Sequence, residues 1–173
     1  MNEVLNCLET RRSVRKYLPK QIADAELNAI LEAGIYAPPA MGRQSPKIVV
    51  LQKPEDIAAL ERMNAAVLGN PDSHPFYGAP TVLVVLADAK AGTAVEDGSL
   101  VLGNLMNAAH ALGVGSCWIH RAREEFASDE GKALLKRWGI EGDWVGVGHC
   151  ILGYAAEPAA PAKPRKADYI VRV

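Results

Sequence analysis

Two basic segments near opposite ends of the chain carry side chains suited to holding an anion. They are R-R-S-V-R, with Arg11, Arg12, Ser13 and Arg15, and K-P-R-K, with Lys163 and Arg165. Guanidinium groups bind phosphate through paired, charge-assisted hydrogen bonds, and a serine hydroxyl adds another donor. Both ends of the chain carry more basic than acidic residues, which suggests one shared anion. For the first segment taken alone, a solvated basic turn is the alternative interpretation.

The histidines and cysteines give little support to metal or nucleophilic chemistry. His110 lies in an apolar helical stretch and His149 among strand residues, so both are expected to be core groups with hydrogen-bond partners. No pair of the four histidines has metal-ligand spacing with a carboxylate, and no metal site is predicted. Cys7, Cys117 and Cys150 are odd in number and far apart. This pattern argues against a disulfide framework and favours a reducing, cytoplasmic location.

Charge and hydropathy exclude several classes of partner. The formal net charge is -1, so the chain as a whole offers no basic face for nucleic acid or an anionic membrane surface. No apolar run is long enough for a transmembrane helix, and the first residues do not resemble a secretion signal. We therefore expect no nucleic acid and no membrane among the partners.

Helices and strands are predicted to alternate along the chain. A helix capped by Asp24 carries apolar residues at helical spacing and stops at Pro38 and Pro39. Buried strands are predicted at 47–52, 81–87, 116–119 and 145–152, where short Val, Ile and Leu runs lie between Gly or Pro residues. Further helices are predicted from Pro54 and over 99–112 and 124–138, the last two closed by glycines.

These elements fit one domain of 173 residues. The helix 99–112 is apolar on nearly every side, so it should be buried all round, and a subunit interface would complete that burial. From Ala155 onward the sequence is rich in Ala, Pro and Lys. This composition predicts an extended arm over 155–173.

The order of four motifs resembles that of the nitroreductase family over almost the whole chain. The R-R-S-V-R segment is followed by A-P-P-A-M-G-R-Q-S-P at 37–46, G-V-G-S-C-W-I at 113–119 and K-P-R-K at 163–166. The resemblance implies an α+β fold with a mixed sheet flanked by helices. It also implies a single FMN-binding domain over 1–173, in a homodimer with FMN at the interface and the arm 155–173 crossing to the partner.

The resemblance assigns FMN-binding roles by position. The phosphate and ribityl chain would be held by Arg11, Arg12, Ser13, Arg15, Lys163 and Arg165. The second wall, reaching in from the neighbouring subunit, would be formed by Pro38, Pro39, Ala40, Gly42 and Gln44. The backbone near N5 and O4 of the isoalloxazine would come from Trp118, Ile119, His120 and Arg121. Gly42 stands where the family has asparagine, and Ser45 and Pro46 displace the tryptophan that follows the family's proline.

The activity implied is that of an FMN-dependent oxidoreductase. NADH or NADPH would reduce the flavin and leave, and a nitroaromatic, quinone or similar small acceptor would then take the electrons by a ping-pong mechanism. The flavin performs the chemistry, so no catalytic side chain is assigned, and His120 is a candidate proton donor. Alternatives are a flavoenzyme of the same fold with another reaction, such as dehalogenation, dehydrogenation or flavin breakdown, and a non-catalytic flavin-binding protein.

Overall fold

The computed structural model describes residues 2–173 and has one central sheet. Its strands are β1 (Pro46–Leu51), β2 (Thr81–Asp88), β3 (Gly115–Ile119) and β4 (Trp144–Gly153), in the order β1-β2-β4-β3. All four agree with the predicted strands to within about one residue. The sequence predicts a mixed sheet, but the three ladders are all antiparallel. Among residues 2–173 the parallel pairing is limited to an isolated bridge between Ser13 and Ser116.

Helices cover both faces of the sheet, as an α+β fold requires. They are α1 (Glu3–Thr10), α2 (Asp24–Ile35), α3 (Pro54–Leu68), α4 (Ala94–Ala111), α5 (Ala122–Ala127) and α6 (Asp129–Arg137). Alternate residues of β2 point to opposite faces. Leu83 and Val85 pack with α2 and α4, whereas Val82 and Val84 pack with α3, α5 and α6. Because β2 is buried on both faces, its sequence is a continuous apolar run.

Two helix predictions need correction. The predicted helix 124–138 is two helices, since Ser128 ends α5 and caps α6 by accepting a hydrogen bond from the Gly131 N–H. Asp24 does not cap α2, because Ala23 occupies that position and the Glu26 carboxylate accepts the Ala23 N–H at 2.9 Å. The break at Ser128 follows from serine's preference for helix N-termini over helix interiors.

Helix α4 begins five residues before the predicted start and is not buried all round within one chain. Leu102 and Leu105 face the core, but Leu100 is 48 % exposed and Leu112 is 43 % exposed. These two side chains therefore lie on a surface of α4 that the single chain leaves open.

The arm leaves the domain after Tyr154. Its first residues are held by a bridge between Tyr17 and Ala155 and by an ion pair between Lys16 and Glu157 at 2.8 Å. All residues from Ala155 to Val173 are exposed, and none of them lies in a helix or in a strand of the sheet; the extended conformation of the arm stays a prediction. Its route to a partner stays a prediction.

Candidate functional site

The segment 11–15 is positioned by the end of α1 and the start of β3. Helix α1 ends at Thr10, and the Val14 N–H then donates to the Ser116 carbonyl at 2.9 Å. The depression beside it, about 230 Å³, is lined by Arg12, His110, Gly113–Ser116 and Glu157–Ala159, among others. Tertiary contacts thus bring together the first basic motif, the glycine-rich entry of β3 and the start of the arm.

Arg11 and Arg12 have different surroundings. Arg12 Nη1 donates to the carbonyls of Glu9 and Arg11, each at 2.7 Å, so it satisfies carbonyls that the end of α1 leaves open. Arg11 Nη1 is buried and has no hydrogen-bond partner among residues 2–173. A buried guanidinium N–H without an acceptor is costly. Arg11 Nη1 is therefore a buried, positively charged donor that no described residue satisfies.

His110 reports on the electrostatics of this region. Its ring contacts the Thr10 hydroxyl at 2.9 Å. Burial lowers the pKa of His110 below its ordinary value, and the positive charges of Arg11 and Arg12 lower it further. The segment is therefore electropositive at the place where a phosphate is expected.

The proline segment is anchored by Asp97, in the first turn of α4. The Asp97 carboxylate accepts the Ala40 N–H at 3.0 Å and the Ser45 hydroxyl at 2.7 Å. These two hydrogen bonds, in that order, lower the pKa of Asp97. Gln44 has a left-handed φ of 51°, so the segment is held in a shape that its sequence alone does not favour. Pro39 and Gln44 line a depression bounded by α2 and β1.

Gly42 and its neighbours face outward. Gly42 has a φ of 68°, and a side chain added there would meet no atom within 4 Å. Asparagine is among the residues that tolerate this conformation best. The family's asparagine would therefore fit sterically, and its absence is a local difference of side-chain chemistry at an exposed turn. Pro38 is likewise exposed.

The exit of β3 places four predicted residues in distinct environments. Trp118 is half-buried and packs against the core on the α4 side, while Ile119 is buried on the opposite face. The His120 side chain is exposed and Arg121 is half-buried. Arg121 has a φ of 82°, a left-handed conformation that costs a residue with a side chain about 1–2 kcal/mol.

Asn64 of α3 holds this exit of β3 through two hydrogen bonds. It is fully buried in α3; its Nδ2 donates to the His120 carbonyl at 2.8 Å, and its Oδ1 accepts from Arg121 Nε at 2.9 Å. On the other side, α5 comes so close to β4 that a side chain at Gly146 would collide with the Ala122 carbonyl. The backbone between β3 and α5 is therefore fixed by contacts from two elements.

A buried pair lies behind the same strand. Glu125 of α5 and His149 of β4 are almost fully buried and joined by a hydrogen bond of 2.5 Å. The His149 ring packs against Phe76 with centroids 5.4 Å apart. Glu125 Oε1 and His149 Nδ1 have no partner among residues 2–173. The prediction that His149 is a core residue with a polar partner is confirmed, and that partner ties α5 to the sheet.

The second basic motif does not join the first within one chain. Lys163 and Arg165 are exposed on the arm, and Arg165 lines a depression formed with arm residues such as Tyr169 and Ile170. Ser13 and Arg15 line a separate depression with Glu157 and Pro158. The predicted site residues thus form several groups: the anion segment, the proline segment, the strand exit and the arm.

Sequence reasoning missed Asn64 and Asp97. Each is a single polar residue in a helix, and each acts on a segment more than 50 residues away. The available signal was a polar residue between apolar neighbours, since Asn64 lies between Met63 and Ala65. That pattern indicates a buried polar group, but it does not identify the partner.

Comparison with known proteins agrees with this arrangement. The sequence profile of the nitroreductase family matches residues 8–154. This chain belongs to the nitroreductase family. A protein of Archaeoglobus fulgidus named "Putative NADH dehydrogenase/NAD(P)H nitroreductase" is 32 % identical over 159 residues, which are 89 % of this chain and 86 % of that protein. A protein of the same name from Methanothermobacter thermautotrophicus is 31 % identical over 125 residues, which are 67 % of this chain. This chain spans only 60 % of the length of that protein.

Solved structures agree over the full length of the chain. The nitroreductase of Bacteroides fragilis, crystallised with bound FMN, has a TM-score of 0.90 and 33 % identity, with 100 % of both chains covered. A nitroreductase of Desulfitobacterium hafniense, also with bound FMN, has a TM-score of 0.89 and 29 % identity, covering 100 % of this chain and 99 % of that one. The predicted family and α+β fold are confirmed.

Three further findings concern metal ligands, membrane-spanning helices and cysteines. Residues 2–173 contain no group of three or more His, Cys, Asp or Glu side chains arranged to hold a metal ion. Within the same residues, no helix combines the length and the apolar character needed to cross a membrane. The three cysteines are free, with Cys117 and Cys150 buried.

Proposed function

We propose that this chain is an FMN-dependent oxidoreductase that takes electrons from NADH or NADPH and passes them to a small acceptor such as a nitroaromatic or a quinone. The main support is Arg11, whose buried Nη1 lacks an acceptor at the position where the family resemblance places the FMN phosphate. Membership of the nitroreductase family and the FMN bound by the two solved relatives point the same way.

The residues present fit FMN. Arg11 supplies a charged donor that no described residue satisfies, and Ser13 and Arg15, which follow it in the same segment, line a depression. Arg12 also supports the segment through the end of α1. Lys163 and Arg165 would add charge from the arm, and the Asp97-anchored turn with Pro39, Ala40 and Gln44 would form a second wall. These side chains bind and orient the cofactor.

When bound, FMN supplies hydride acceptance and donation at its isoalloxazine ring. The chain's own contribution is electrostatic and geometric. The basic segment 11–15 neutralises the phosphate, and the strand exit at Ile119–Arg121 offers backbone to the ring edge. The exposed His120 is a candidate proton donor to an acceptor. The electron donor, NADH or NADPH, and the electron acceptor would occupy the same site in turn, which would give ping-pong kinetics.

A homodimer is part of the proposal. Within one chain, the depression lined by Arg165 includes no residue of the segment 11–15, and Leu100 and Leu112 of α4 are exposed. A partner copy would cover these side chains and bring an arm or a proline segment to each site. FMN would then be shared between subunits.

The deciding experiment is spectroscopic. Purified protein is mixed with FMN, desalted, and examined by visible absorption before and after anaerobic addition of NADH or NADPH. Retained flavin that bleaches supports the proposal. Absence of bound flavin would overturn the cofactor assignment. Bound flavin that neither nicotinamide bleaches would refute the proposed electron donor and favour the non-catalytic or alternative-reaction hypotheses.

A further inference from the structure

The connection between β3 and α5 is held by one buried amide. Asn64 is fully buried in α3, and both polar atoms of its side chain form hydrogen bonds to two adjacent residues. Nδ2 donates to the His120 carbonyl at 2.8 Å, and Oδ1 accepts from Arg121 Nε at 2.9 Å. A buried polar side chain must find partners. Here both partners belong to one short segment, so the amide defines that segment's orientation.

The segment needs this support because its backbone is strained. Arg121 adopts a φ of 82° and a ψ of 1°, a region that residues other than glycine rarely populate. Such a conformation persists only where the surroundings hold it. The Asn64 side chain bonds to the guanidinium of Arg121 and to the backbone carbonyl of His120, the preceding residue. Loss of the amide would release both contacts together.

The held carbonyl also fixes the direction of a donor. The peptide between His120 and Arg121 is trans, so its C=O and N–H point in opposite directions. The carbonyl points at the buried Asn64, and the Arg121 N–H therefore points away from α3. Among residues 2–173, this N–H donates to no backbone carbonyl in a turn, a loop or a helix cap. An unpaired donor on a fixed peptide is prepared for a ligand.

We propose that Asn64 is a positioning residue that sets how the His120–Arg121 peptide meets bound FMN, and so tunes the relative affinity of the site for oxidised and reduced flavin. The inference rests on the proposed function, which places the flavin ring at this strand exit. A donor fixed before binding costs no reorganisation when charge develops on the ring. Asn64 itself is buried and acts through the peptide it holds.

The test compares Asn64→Ala with Leu60→Ala. Leu60 lies one turn earlier on α3, is fully buried as Asn64 is, and has no side-chain group that could hydrogen-bond to the strand exit. Both variants lose packing, but only the first loses the amide. For each protein we would measure apo thermal unfolding, the FMN dissociation constant and the midpoint potential of bound FMN.

We expect Asn64→Ala to bind FMN more weakly and to shift the preference for reduced over oxidised flavin by about tenfold, which is about 30 mV for a two-electron couple. Leu60→Ala should unfold at a lower temperature with the potential of the wild type. In the apo protein, amide hydrogen exchange at 120–122 should be faster in Asn64→Ala than in Leu60→Ala, because the released segment opens more readily.

The outcomes separate the two proposals. Wild-type protein that binds no FMN overturns the proposed function. If the wild type binds FMN and Asn64→Ala has an unchanged midpoint potential, only the inference is overturned. The inference is also overturned if Leu60→Ala shifts the midpoint potential as much as Asn64→Ala does, because the shift would then be an effect of lost packing. If Asn64→Ala fails to fold, the change is made in an Arg121→Gly background, because glycine adopts positive φ without strain. If the double variant Asn64→Ala/Arg121→Gly then has the same midpoint potential as Arg121→Gly alone, the proposal is contradicted.

Discussion

At the scale of single residues, two adjacent arginines are predicted to differ in role. Arg11→Met removes a buried N–H without a partner. It should leave the free energy of unfolding of the apo protein unchanged or higher, since such a group costs about 1–3 kcal/mol. The FMN dissociation constant should rise at least tenfold, because a charged hydrogen bond contributes about 1.5–3 kcal/mol.

Arg12→Met is the matched control. Arg12 Nη1 holds the Glu9 and Arg11 carbonyls at the end of α1. Its loss should lower apo stability and affect FMN affinity less than Arg11→Met. Chemical denaturation and fluorescence titration with FMN measure the two quantities. An Arg11→Met protein with weaker folding and unchanged FMN affinity would assign Arg11 a structural role.

His110 supplies a second prediction at this scale. Burial and the neighbouring arginines lower its pKa, so the unfolded chain takes up this proton first as the pH falls. The contribution of the neutral His110 ring to the free energy of unfolding is therefore complete above about pH 6.5, and it is lost as the pH falls below that value. Binding of a phosphate beside Arg11 and Arg12 should raise the pKa of His110, because the anion offsets their charge.

Nuclear magnetic resonance of the histidine rings tests this shift. The ring of His110 is titrated in the apo protein, with inorganic phosphate and with FMN. His74, on an exposed loop, is the internal reference. If FMN binds and the pKa of His110 does not move, the phosphate does not lie beside the first basic segment.

At the scale of elements, Asp97 joins the start of α4 to the proline segment. Its carboxylate accepts from the Ala40 N–H and the Ser45 hydroxyl, and these bonds lower its pKa. The stability they provide is complete above the ordinary aspartate value of about 3.9 and is lost as the pH falls through the lower folded value. Asp97→Asn should therefore flatten the acid branch of the stability profile and weaken FMN binding.

Asp72→Asn, on an exposed loop, controls for the loss of a negative charge. Denaturation midpoints between about pH 3 and 5 bracket the ordinary aspartate pKa, and an FMN titration at neutral pH completes the comparison. An acid branch that is equally steep in wild type and in Asp97→Asn would show that this carboxylate does not anchor the segment.

The same elements show how far sequence reasoning extends. The strands follow from local apolar runs, because a strand buried on both faces needs a continuous apolar sequence. The break at Ser128 and the anchoring by Asp97 and Asn64 depend on contacts between distant segments, which no local pattern specifies. The arginine motif predicted an anion site, but the different surroundings of Arg11 and Arg12 depend on how α1 ends against β3.

At the scale of the whole molecule, two features of the single chain are consistent with the proposed homodimer. Helix α1 exposes Leu5 and Leu8, helix α4 exposes Leu100, and the arm exposes Tyr169 and Ile170. The basic residues expected to share one phosphate lie on the domain and on the arm, and they line separate depressions. Both features are accounted for if each site combines the domain of one subunit with a segment of the other.

Mixed dimers test whether the arm crosses. Arg11→Met and Arg165→Ala should each weaken both sites of their own homodimer, by about tenfold or more per charged hydrogen bond lost. If the arm crosses, a heterodimer of the two variants has one site lacking both arginines and one site with both intact. Half of the FMN sites should then recover wild-type affinity. If the arm stays with its own domain, each site lacks one arginine and none recovers.

Two affinity tags, refolding of the mixed chains and sequential purification give the heterodimer. A heterodimer of wild type with the double variant Arg11→Met/Arg165→Ala is the mirror control. With crossing arms every site in it lacks one arginine, whereas without crossing half of its sites are intact. Recovery in the control rather than in the mixed dimer would show that each arm serves its own domain, because the two connectivities give opposite results in the two constructions.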